Sequence, residues 1–188
     1  MISFSAHVMS VERVQQRLRK VTQALDAAKI PYAVVGGNAV AAWVGRVDPA
    51  ATRATKDVDL LVQRGDVDAI TATMSKIGLK REDLRDLVVF VDPAEPSRRS
   101  GVHLVWAGER IRPSYVVPSP LVTEGERDPE GFLVVSLGAL VRMKLTSFRD
   151  IDRAHVRDML EVGLIDAKIA GSLPSELNAR LDEVRRSE

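Results

Sequence analysis

Two aspartates lie close together inside an otherwise apolar segment of the sequence. The segment KDVDLLV, residues 56–62, has the apolar content of a buried strand, and Asp57 and Asp59 lie two residues apart in it. Because strand side chains alternate between faces, both carboxylates point to the same side. Burying a carboxylate costs free energy unless it is paired, and two neighbouring carboxylates repel each other. A divalent cation between them relieves both costs, so the segment predicts a metal site on a strand.

Magnesium is the cation that this donor set favours. Mg²⁺ prefers oxygen ligands and is commonly held by one or two carboxylates together with substrate phosphates and water. A place for phosphates precedes the aspartates, where the strand YAVV is followed by Gly36, Gly37 and a helix of small residues. A glycine turn at a helix start lets the backbone approach a ligand and directs free N–H groups at phosphate. Each motif alone also fits an ordinary turn or an edge strand, but their order predicts a nucleotide site.

Composition limits the remaining function classes. The 188 residues fit one domain, with or without a small appendage, and contain no cysteine, which excludes disulfides and cysteine catalysis. Charge is nearly balanced, at 27 basic and 26 acidic residues, and gives no whole-protein signal for nucleic acid. No apolar run reaches the ~18 residues of a membrane span, and the N-terminus lacks the features of a signal peptide. We therefore expect a cytoplasmic protein with neither a membrane nor DNA as its partner.

Apolar periodicity predicts an α/β half followed by a small helical half. The first helix is expected from Ser10 to about Lys29, and the pattern becomes entirely helical from Ser136 onward. Further helices are expected over residues 67–77, from 136, over 150–161 and from about 174, and strands at YAVV, DVDLLV, LVVFV, GVHLVWA and FLVV. The prediction is a core over residues 1–135 and a C-terminal helical part over residues 136–188.

The sequences VVGGNAVAAW and RATKDVDLLV resemble the DNA polymerase β-type nucleotidyltransferase superfamily. Its pattern is Gly-Gly or Gly-Ser, a short helix and then Asp-x-Asp. The 19 residues between Gly37 and Asp57 exceed its usual spacing. A long loop with Arg53 and Thr55 just before the aspartates is similar to the AbiEii/MenA-like bacterial nucleotidyltransferases, several of which are toxins of toxin–antitoxin pairs. The resemblance implies that Arg53 and Thr55 contact the nucleotide.

The resemblance implies a fold and a reaction. The fold is an α/β (α+β) nucleotidyltransferase-type mixed sheet with flanking helices. Asp57 and Asp59 would hold Mg²⁺ and the phosphates of an NTP, with Gly36 and Gly37 against the triphosphate. An acceptor hydroxyl would attack the α-phosphorus, and pyrophosphate would leave. RNA such as tRNA, a protein or a small molecule would be the acceptor, and an antitoxin would be the further partner of a toxin.

The sequence departs from the superfamily's pattern at one position. A third carboxylate often lies on a later strand, and the matching strand GVHLVWA has His103 there. Histidine is a poorer Mg²⁺ ligand than aspartate, but a neutral imidazole can act as a general base for the acceptor hydroxyl. A hydrogen-bonded core histidine is the alternative. His103 leaves two functions open, an active nucleotidyltransferase or a catalytically inactive protein of the same fold that binds nucleotide or a partner.

Residues of the helical part complete the candidate site. Lys144 lies on the apolar stripe of its helix, seven residues after Leu137 and four before Phe148, where a lysine needs an anionic partner or a phosphate. Related nucleotidyltransferases carry a lysine here on the triphosphate, and a snorkelling lysine is the alternative. The segment RDIDRAHVRDML resembles the family's Arg and Asp-x-x-Asp-Leu helix. Asp158 matches its final acid, expected to orient Lys144 or an arginine, and His155 stands where the earlier acid is expected.

The positions of other charged residues predict local roles for them. Asp152 lies in the first turn of the helix that starts at residue 150, where the helix dipole favours an acid. Arginines flank the strand GVHLVWA at Arg98, Arg99, Arg110 and Arg112. Such clusters usually form a solvated face, but they fit phosphate contacts if the acceptor is RNA.

Overall fold

A seven-stranded mixed sheet carries the residues singled out in the sequence. The computed structural model describes residues 4–85 and 87–187. The strands are β1 (Tyr32–Val35), β2 (Val58–Val62), β3 (Lys80–Leu84), β4 (Leu87–Val91), β5 (Val102–Trp106), β6 (Gly125–Arg127) and β7 (Leu133–Val135). Their order across the sheet is β3-β4-β5-β2-β1-β7-β6. The mixed α/β architecture confirms the predicted fold class.

Seven α-helices accompany the sheet in the described part of the chain. They are α1 (Phe4–Ala27), α2 (Gly36–Gly45), α3 (Val67–Lys76), α4 (Leu137–Ser147), α5 (Asp150–Glu161), α6 (Ala167–Gly171) and α7 (Ser175–Arg186). Helices α4, α5 and α7 pack on one another, and α4 and α5 also pack against α2. The C-terminal helices therefore lie directly beside the helix that follows Gly36. Within residues 4–85 and 87–187, no helix is both long and apolar enough to cross a bilayer.

Strand β2 occupies the centre of the sheet and sets the position of Asp59. It pairs antiparallel with β1, with Asp59 opposite Val35, and parallel with β5, with Asp59 opposite His103. Main-chain pairing therefore places Val35, Asp59 and His103 in one row across three strands. Because Gly36 follows Val35 directly, the start of α2 lies at the same edge of the sheet.

Four elements differ from the sequence prediction. The edge strand β3, with sequence KREDL, and the short edge strand β6, with sequence GER, lack the apolar alternation that predicts strands. The short helix α6 was also not predicted. The expected start of the first helix at Ser10 is wrong, because α1 begins at Phe4 and contains Ser10. Residues 4–10 contain neither proline nor glycine, so no helix breaker interrupts them.

Candidate active site

Three side chains converge where β2 and β5 begin. Asp57 immediately precedes β2, Asp59 is its second residue, and His103 is the second residue of β5. The His103 Nδ1 atom lies 3.3 Å from Asp59 Oδ1 and 3.5 Å from Asp57 Oδ2. One ligand atom from each residue lies within 4.8 Å of the other two. All three side chains are partly buried, and together they form a group that can hold a metal ion.

The charges of this group favour a bound cation. Burial raises the pKa of the Asp57 carboxyl, the neighbouring Asp59 carboxylate raises it further, and His103 partly offsets both effects. The hydrogen bond to Asp59 raises the pKa of His103, and burial opposes that rise. A positive charge is therefore stabilised between the two carboxylates. A divalent cation on two carboxylate oxygens supplies that charge, so the donor set fits a metal.

His103 has one ring nitrogen available for chemistry. Its Nε2 atom lies 2.7 Å from the carbonyl oxygen of Arg98, which only accepts a hydrogen bond, so Nε2 carries a proton. The Nδ1 atom then faces Asp57 and Asp59. In the neutral tautomer this nitrogen has a free lone pair, and it can coordinate a metal or accept a proton, but not both at once. His103 is hydrogen-bonded, as one sequence alternative expected, but it lies in the carboxylate cluster.

Gly36 connects β1 to α2 with no intervening loop. Its φ of +68° lies in the left-handed region that favours glycine. A Cβ added at this position would lie 1.9 Å from Asp59 Oδ2. The absence of a side chain thus lets the Asp59 carboxylate lie against the first turn of α2. This turn carries free N–H groups and the positive end of the helix dipole.

The loop between α2 and β2 is fastened at three points. Asn38 donates from Nδ2 to the carbonyl oxygen of Asp57 at 2.6 Å and accepts from the Thr55 hydroxyl at 3.0 Å. Arg53 donates two hydrogen bonds to Asp158 on α5, at 2.6 and 2.8 Å. Arg53 and Thr55 thus hold the loop, and the arginine expected beside Asp158 is Arg53. Sequence reasoning missed Asn38, whose signal is a polar residue directly after the two glycines.

Lys144 and Asp152 form a buried ion pair between α4 and α5. Lys144 is 5% exposed, and its Nζ atom lies 3.2 Å from Asp152 Oδ1. Asp152 also accepts from Arg149 Nε at 2.7 Å and from Ser147 Oγ at 2.6 Å. Burial alone would raise the pKa of Asp152, but Arg149, Lys144 and Ser147 outweigh it and hold the pKa at about 2. Asp152 is therefore more than the first-turn acid expected from its position.

The structure corrects the alternative of a snorkelling Lys144. The side chain points inward as the stripe predicted, but its anion in this structure is Asp152 rather than a phosphate. Its charge still reaches the candidate metal group, because it lowers the pKa of Asp57. Lys144 therefore contributes to the field around the carboxylates without touching them.

Replacing Lys144 with methionine tests this pair. Lys144→Met keeps most of the side-chain volume and leaves buried Asp152 with Arg149 and Ser147 as its partners. We expect the free energy of unfolding to fall by about 1–3 kcal/mol, since loss of one partner of a buried ion pair leaves charge incompletely compensated. Chemical denaturation measures the change. Arg185→Met is the control, because the ion pair of Arg185 with Asp182 is exposed on both sides and its loss should cost no more than about 1 kcal/mol. Equal stability of Lys144→Met and wild type would contradict the argument.

His155 is a buried neutral histidine beside the start of α2. It is 7% exposed, its Nδ1 atom has no hydrogen-bond partner among the described residues, and its Cε1 atom would lie 3.9 Å from a Cβ at Gly37. Burial, and after it the charge of Lys144, lower the pKa of His155 to about 4 against the opposing effect of Asp152 and Asp158. The imidazole is therefore uncharged at neutral pH, at a position where the resemblance expects an acid.

The low pKa of His155 predicts a pH-dependent stability. The unfolded chain takes up a proton on this imidazole near pH 6.5, but the folded protein does so only near pH 4. The contribution of His155 is therefore fully present above pH 6.5 and is lost as pH falls towards 4, by about 3 kcal/mol. Denaturant unfolding of wild type and His155→Gln across this range measures it. The difference between the two proteins should change with pH, and parallel curves would contradict the assignment.

A larger cleft adjoins the carboxylate group without containing it. The cleft has a volume of about 650 Å³ and lies between α1, α2 and the loop that precedes β2. Asn38, Arg53 and Thr55 are among its lining residues, whereas Asp57 and Asp59 are not. The loop fastened by Arg53, which leads directly to Asp57, therefore forms part of the wall of a cleft with mixed polar and apolar sides.

The fold is that of the nucleotidyltransferases. It matches the solution structure of the antibiotic-resistance factor ANT(2'')-Ia with a TM-score of 0.50 and 18% identity, covering 95% of this chain and 85% of that chain. The crystal structure of ANT(2'')-Ia in complex with adenylyl-2''-tobramycin matches with a TM-score of 0.50 and 19% identity, over 94% and 98% of the two chains. The Megavirus polyadenylate synthase matches with a TM-score of 0.40 and 13% identity, over 95% of this chain and 33% of that chain.

Comparison of sequences does not assign the chain to a family within this fold. No protein-family model matches the chain, and no curated protein does. The two ANT(2'')-Ia structures confirm the nucleotidyltransferase-type fold predicted from the glycine and aspartate motifs. Membership of the AbiEii/MenA-like group stays a prediction.

Proposed function

We propose that the protein is a metal-dependent nucleotidyltransferase that moves an NMP from an NTP to a hydroxyl acceptor. One observation carries the proposal. The carboxylates of Asp57 and Asp59 converge beside His103 Nδ1, with one polar atom of each residue within 4.8 Å of the other two, and Gly36 starts a helix directly against Asp59. The two carboxylates can then hold a metal while His103 accepts a proton. In a chain with the nucleotidyltransferase fold, this arrangement supports a site for Mg²⁺ and a triphosphate.

The nucleotide is assigned to the Gly36 side of Asp59. N–H groups in the first turn of a helix lack intrahelical acceptors, so those of Gly36 and Gly37 at the start of α2 can donate to phosphate oxygens. Asp57 and Asp59 would hold Mg²⁺, which when bound would neutralise phosphate charge and stabilise the charge that develops during transfer. Arg53 and Thr55 contribute by holding the loop against α2, where Thr55 lies beside Gly37. Lys144 and Asp158 support the site from α4 and α5.

The reaction is an in-line substitution at the α-phosphorus. The acceptor oxygen forms a bond to that phosphorus, the bond between the phosphorus and the bridging oxygen of pyrophosphate breaks, and pyrophosphate leaves with the bonding electrons. The proton of the acceptor hydroxyl moves to His103 Nδ1 and then to solvent. His103 Nε2, which donates to the Arg98 carbonyl, keeps the ring oriented with Nδ1 towards the carboxylates.

His103 also favours a second candidate function. A histidine where a third carboxylate is expected gives a mixed oxygen and nitrogen donor set, which suits Mg²⁺ less well than three oxygens. A protein of this kind would bind nucleotide through Asp57 and Asp59 and transfer nothing. The two candidates differ in one observable, the appearance of label on an acceptor.

Incubation with labelled NTPs tests both candidates. Each α-labelled NTP is combined with the protein, Mg²⁺ or Mn²⁺, and total RNA, total protein or an aminoglycoside such as tobramycin. Transfer of label to one acceptor class, lost in Asp59→Asn, is expected for the enzyme, and labelled RNA would agree with the toxin-type group that the sequence resembles. Metal-dependent NTP binding without any transfer would favour the inactive binding protein. Neither binding nor transfer would contradict both functions.

A further inference from the structure

Asp57 lies outside the strand pairing that fixes Asp59. Asp59 belongs to β2 and has a partner on each side, Val35 on β1 and His103 on β5. Asp57 precedes β2, whose pairing with β5 begins at Val58. Burial and repulsion from Asp59 both act on the Asp57 carboxyl and raise its pKa. The repulsion between the two carboxylates therefore acts on a residue that the sheet itself does not hold in place.

A side chain of α2 holds the main chain of Asp57 instead. Asn38 is 5% exposed, and its Nδ2 atom donates to the carbonyl oxygen of Asp57 at 2.6 Å. Because that oxygen can only accept, the amide nitrogen has to face it, and Oδ1 then faces Thr55. The Thr55 hydroxyl donates to Oδ1 at 3.0 Å. The amide therefore bridges two positions of the loop and has one orientation that satisfies both hydrogen bonds.

The two glycines that start α2 make room for the segment that the amide holds. A Cβ added at Gly37 would lie 2.6 Å from Thr55 Cγ2, so the threonine methyl group occupies the space of a missing side chain. A Cβ added at Gly36 would lie 1.9 Å from Asp59 Oδ2. The first three residues of α2 thus contact the segment of residues 55–59 at its start, middle and end.

We propose that Asn38 is a positioning residue that holds Asp57 beside Asp59 before a metal ion binds. This inference rests on the proposed function and explains how its metal site is organised in advance. Without the amide, repulsion would move the main chain at Asp57 away from Asp59. A metal ion would then have to bring the two carboxylates together again, and its affinity would fall by that cost. The Thr55 hydroxyl contributes by fixing the orientation of the amide.

Titration with Mn²⁺, followed by the EPR signal of the free ion, measures metal affinity without nucleotide. Mn²⁺ shares the preference of Mg²⁺ for carboxylate oxygen. Thr55→Val keeps the branched shape of the side chain but removes the hydroxyl, which leaves Oδ1 of buried Asn38 without its donor. We expect Mn²⁺ to bind roughly 3- to 10-fold more weakly, which corresponds to one hydrogen bond. Thr55→Ser keeps the hydroxyl and should bind Mn²⁺ as wild type does.

Two further variants separate positioning from general stability. Asn38→Leu removes both hydrogen bonds of the amide and should weaken Mn²⁺ binding by about 10-fold or more. Thr22→Val is the control, because it removes a hydroxyl on a residue that is 2% exposed and that donates to the Leu18 carbonyl oxygen within α1. It should lower the free energy of unfolding without changing Mn²⁺ affinity. Denaturation curves establish that each variant is fully folded at the temperature of the titration.

The outcomes distinguish this inference from the proposed function. Wild-type Mn²⁺ affinity in Thr55→Val or in a folded Asn38→Leu would overturn the inference alone. An equal loss in Thr55→Val and Thr55→Ser would also overturn it, since the hydroxyl would then not be the group that matters. Weaker Mn²⁺ binding by Thr22→Val would do the same, since metal affinity would then follow stability. Failure of wild type to bind Mn²⁺ would contradict the proposed metal site itself, and with it the function on which the inference rests.

Discussion

Asp59→Asn is expected to abolish nucleotide transfer while leaving the protein folded. Asparagine has the shape of aspartate, so it still fits against Gly36 and beside His103, but it lacks the charge that holds a divalent cation. Losing a carboxylate ligand removes several kcal/mol of metal-dependent stabilisation of the transition state, so transfer should slow on the order of 10³-fold or more. Asp57→Asn should behave in the same way, since both carboxylates face the same point.

Stability provides an independent readout of the same change. Without metal, the two carboxylates repel each other, and this repulsion contributes to the raised pKa of Asp57. Removing one charge should therefore leave the melting temperature unchanged or raise it in the presence of a chelator. Added Mg²⁺ should stabilise wild type but not Asp59→Asn. Asp68→Asn, an exposed acid on α3, is the control. Wild-type transfer by Asp59→Asn would remove the carboxylate pair from the proposed chemistry.

Gly36→Ala is expected to inactivate the site through a single methyl group. The added Cβ would lie 1.9 Å from Asp59 Oδ2, so the carboxylate has to leave its position. The φ of +68° adds a backbone strain of about 1–2 kcal/mol for any residue with a side chain. We expect transfer to slow by about 10² or more, since misplacing a reacting group by about 1 Å has that effect. Unfolding free energy should fall by at least the strain.

Gly163→Ala separates strain from the contact with Asp59. Gly163 has a φ of +73°, close to that of Gly36, and no atom lies within 4 Å of a Cβ added there. Both alanine variants should therefore lose a similar amount of stability from backbone strain, but only Gly36→Ala should lose transfer and metal affinity. Rates of label transfer and metal titrations compare the two proteins. If both variants kept wild-type transfer, the contact between Gly36 and Asp59 would have no catalytic significance.

The sequence predicted the elements that bury apolar residues and missed those that do not. The central strands YAVV, DVDLLV and GVHLVWA are mostly apolar, because most of their aliphatic residues lie in the core. The edge strand β3, with sequence KREDL, pairs with β4 on one side. Its charged residues lack the apolar alternation of a strand, so the segment looks like a loop in the sequence. Edge strands commonly carry such charges, since these discourage pairing with other chains. Local periodicity therefore identifies the centre of this sheet better than its margins.

Which charged residues pair with each other in the candidate site depends on how the helices and loops pack. The sequence around each residue does not show this. Helical spacing placed Lys144 on an inward face, but it could not select Asp152 as its anion, since that choice follows from how α4 and α5 pack. The pairing of Arg53 with Asp158 likewise joins residues 105 positions apart. The position of His103 beside Asp59 was predicted through the family resemblance, which expects a third carboxylate on the strand that carries His103, and the pairing of β2 with β5 places the two residues opposite each other.

The pair of Arg53 and Asp158 also has a consequence for biosynthesis. A ribosome that adds roughly 5–20 residues per second takes on the order of 5–20 s to proceed from one residue to the other. During that interval the nascent chain carries both aspartates of the metal-binding group, but the loop before them has no anchor on α5. The loop acquires this anchor only after α5 has been synthesised. Competence for the proposed reaction should therefore appear late in translation, after the central strands have emerged.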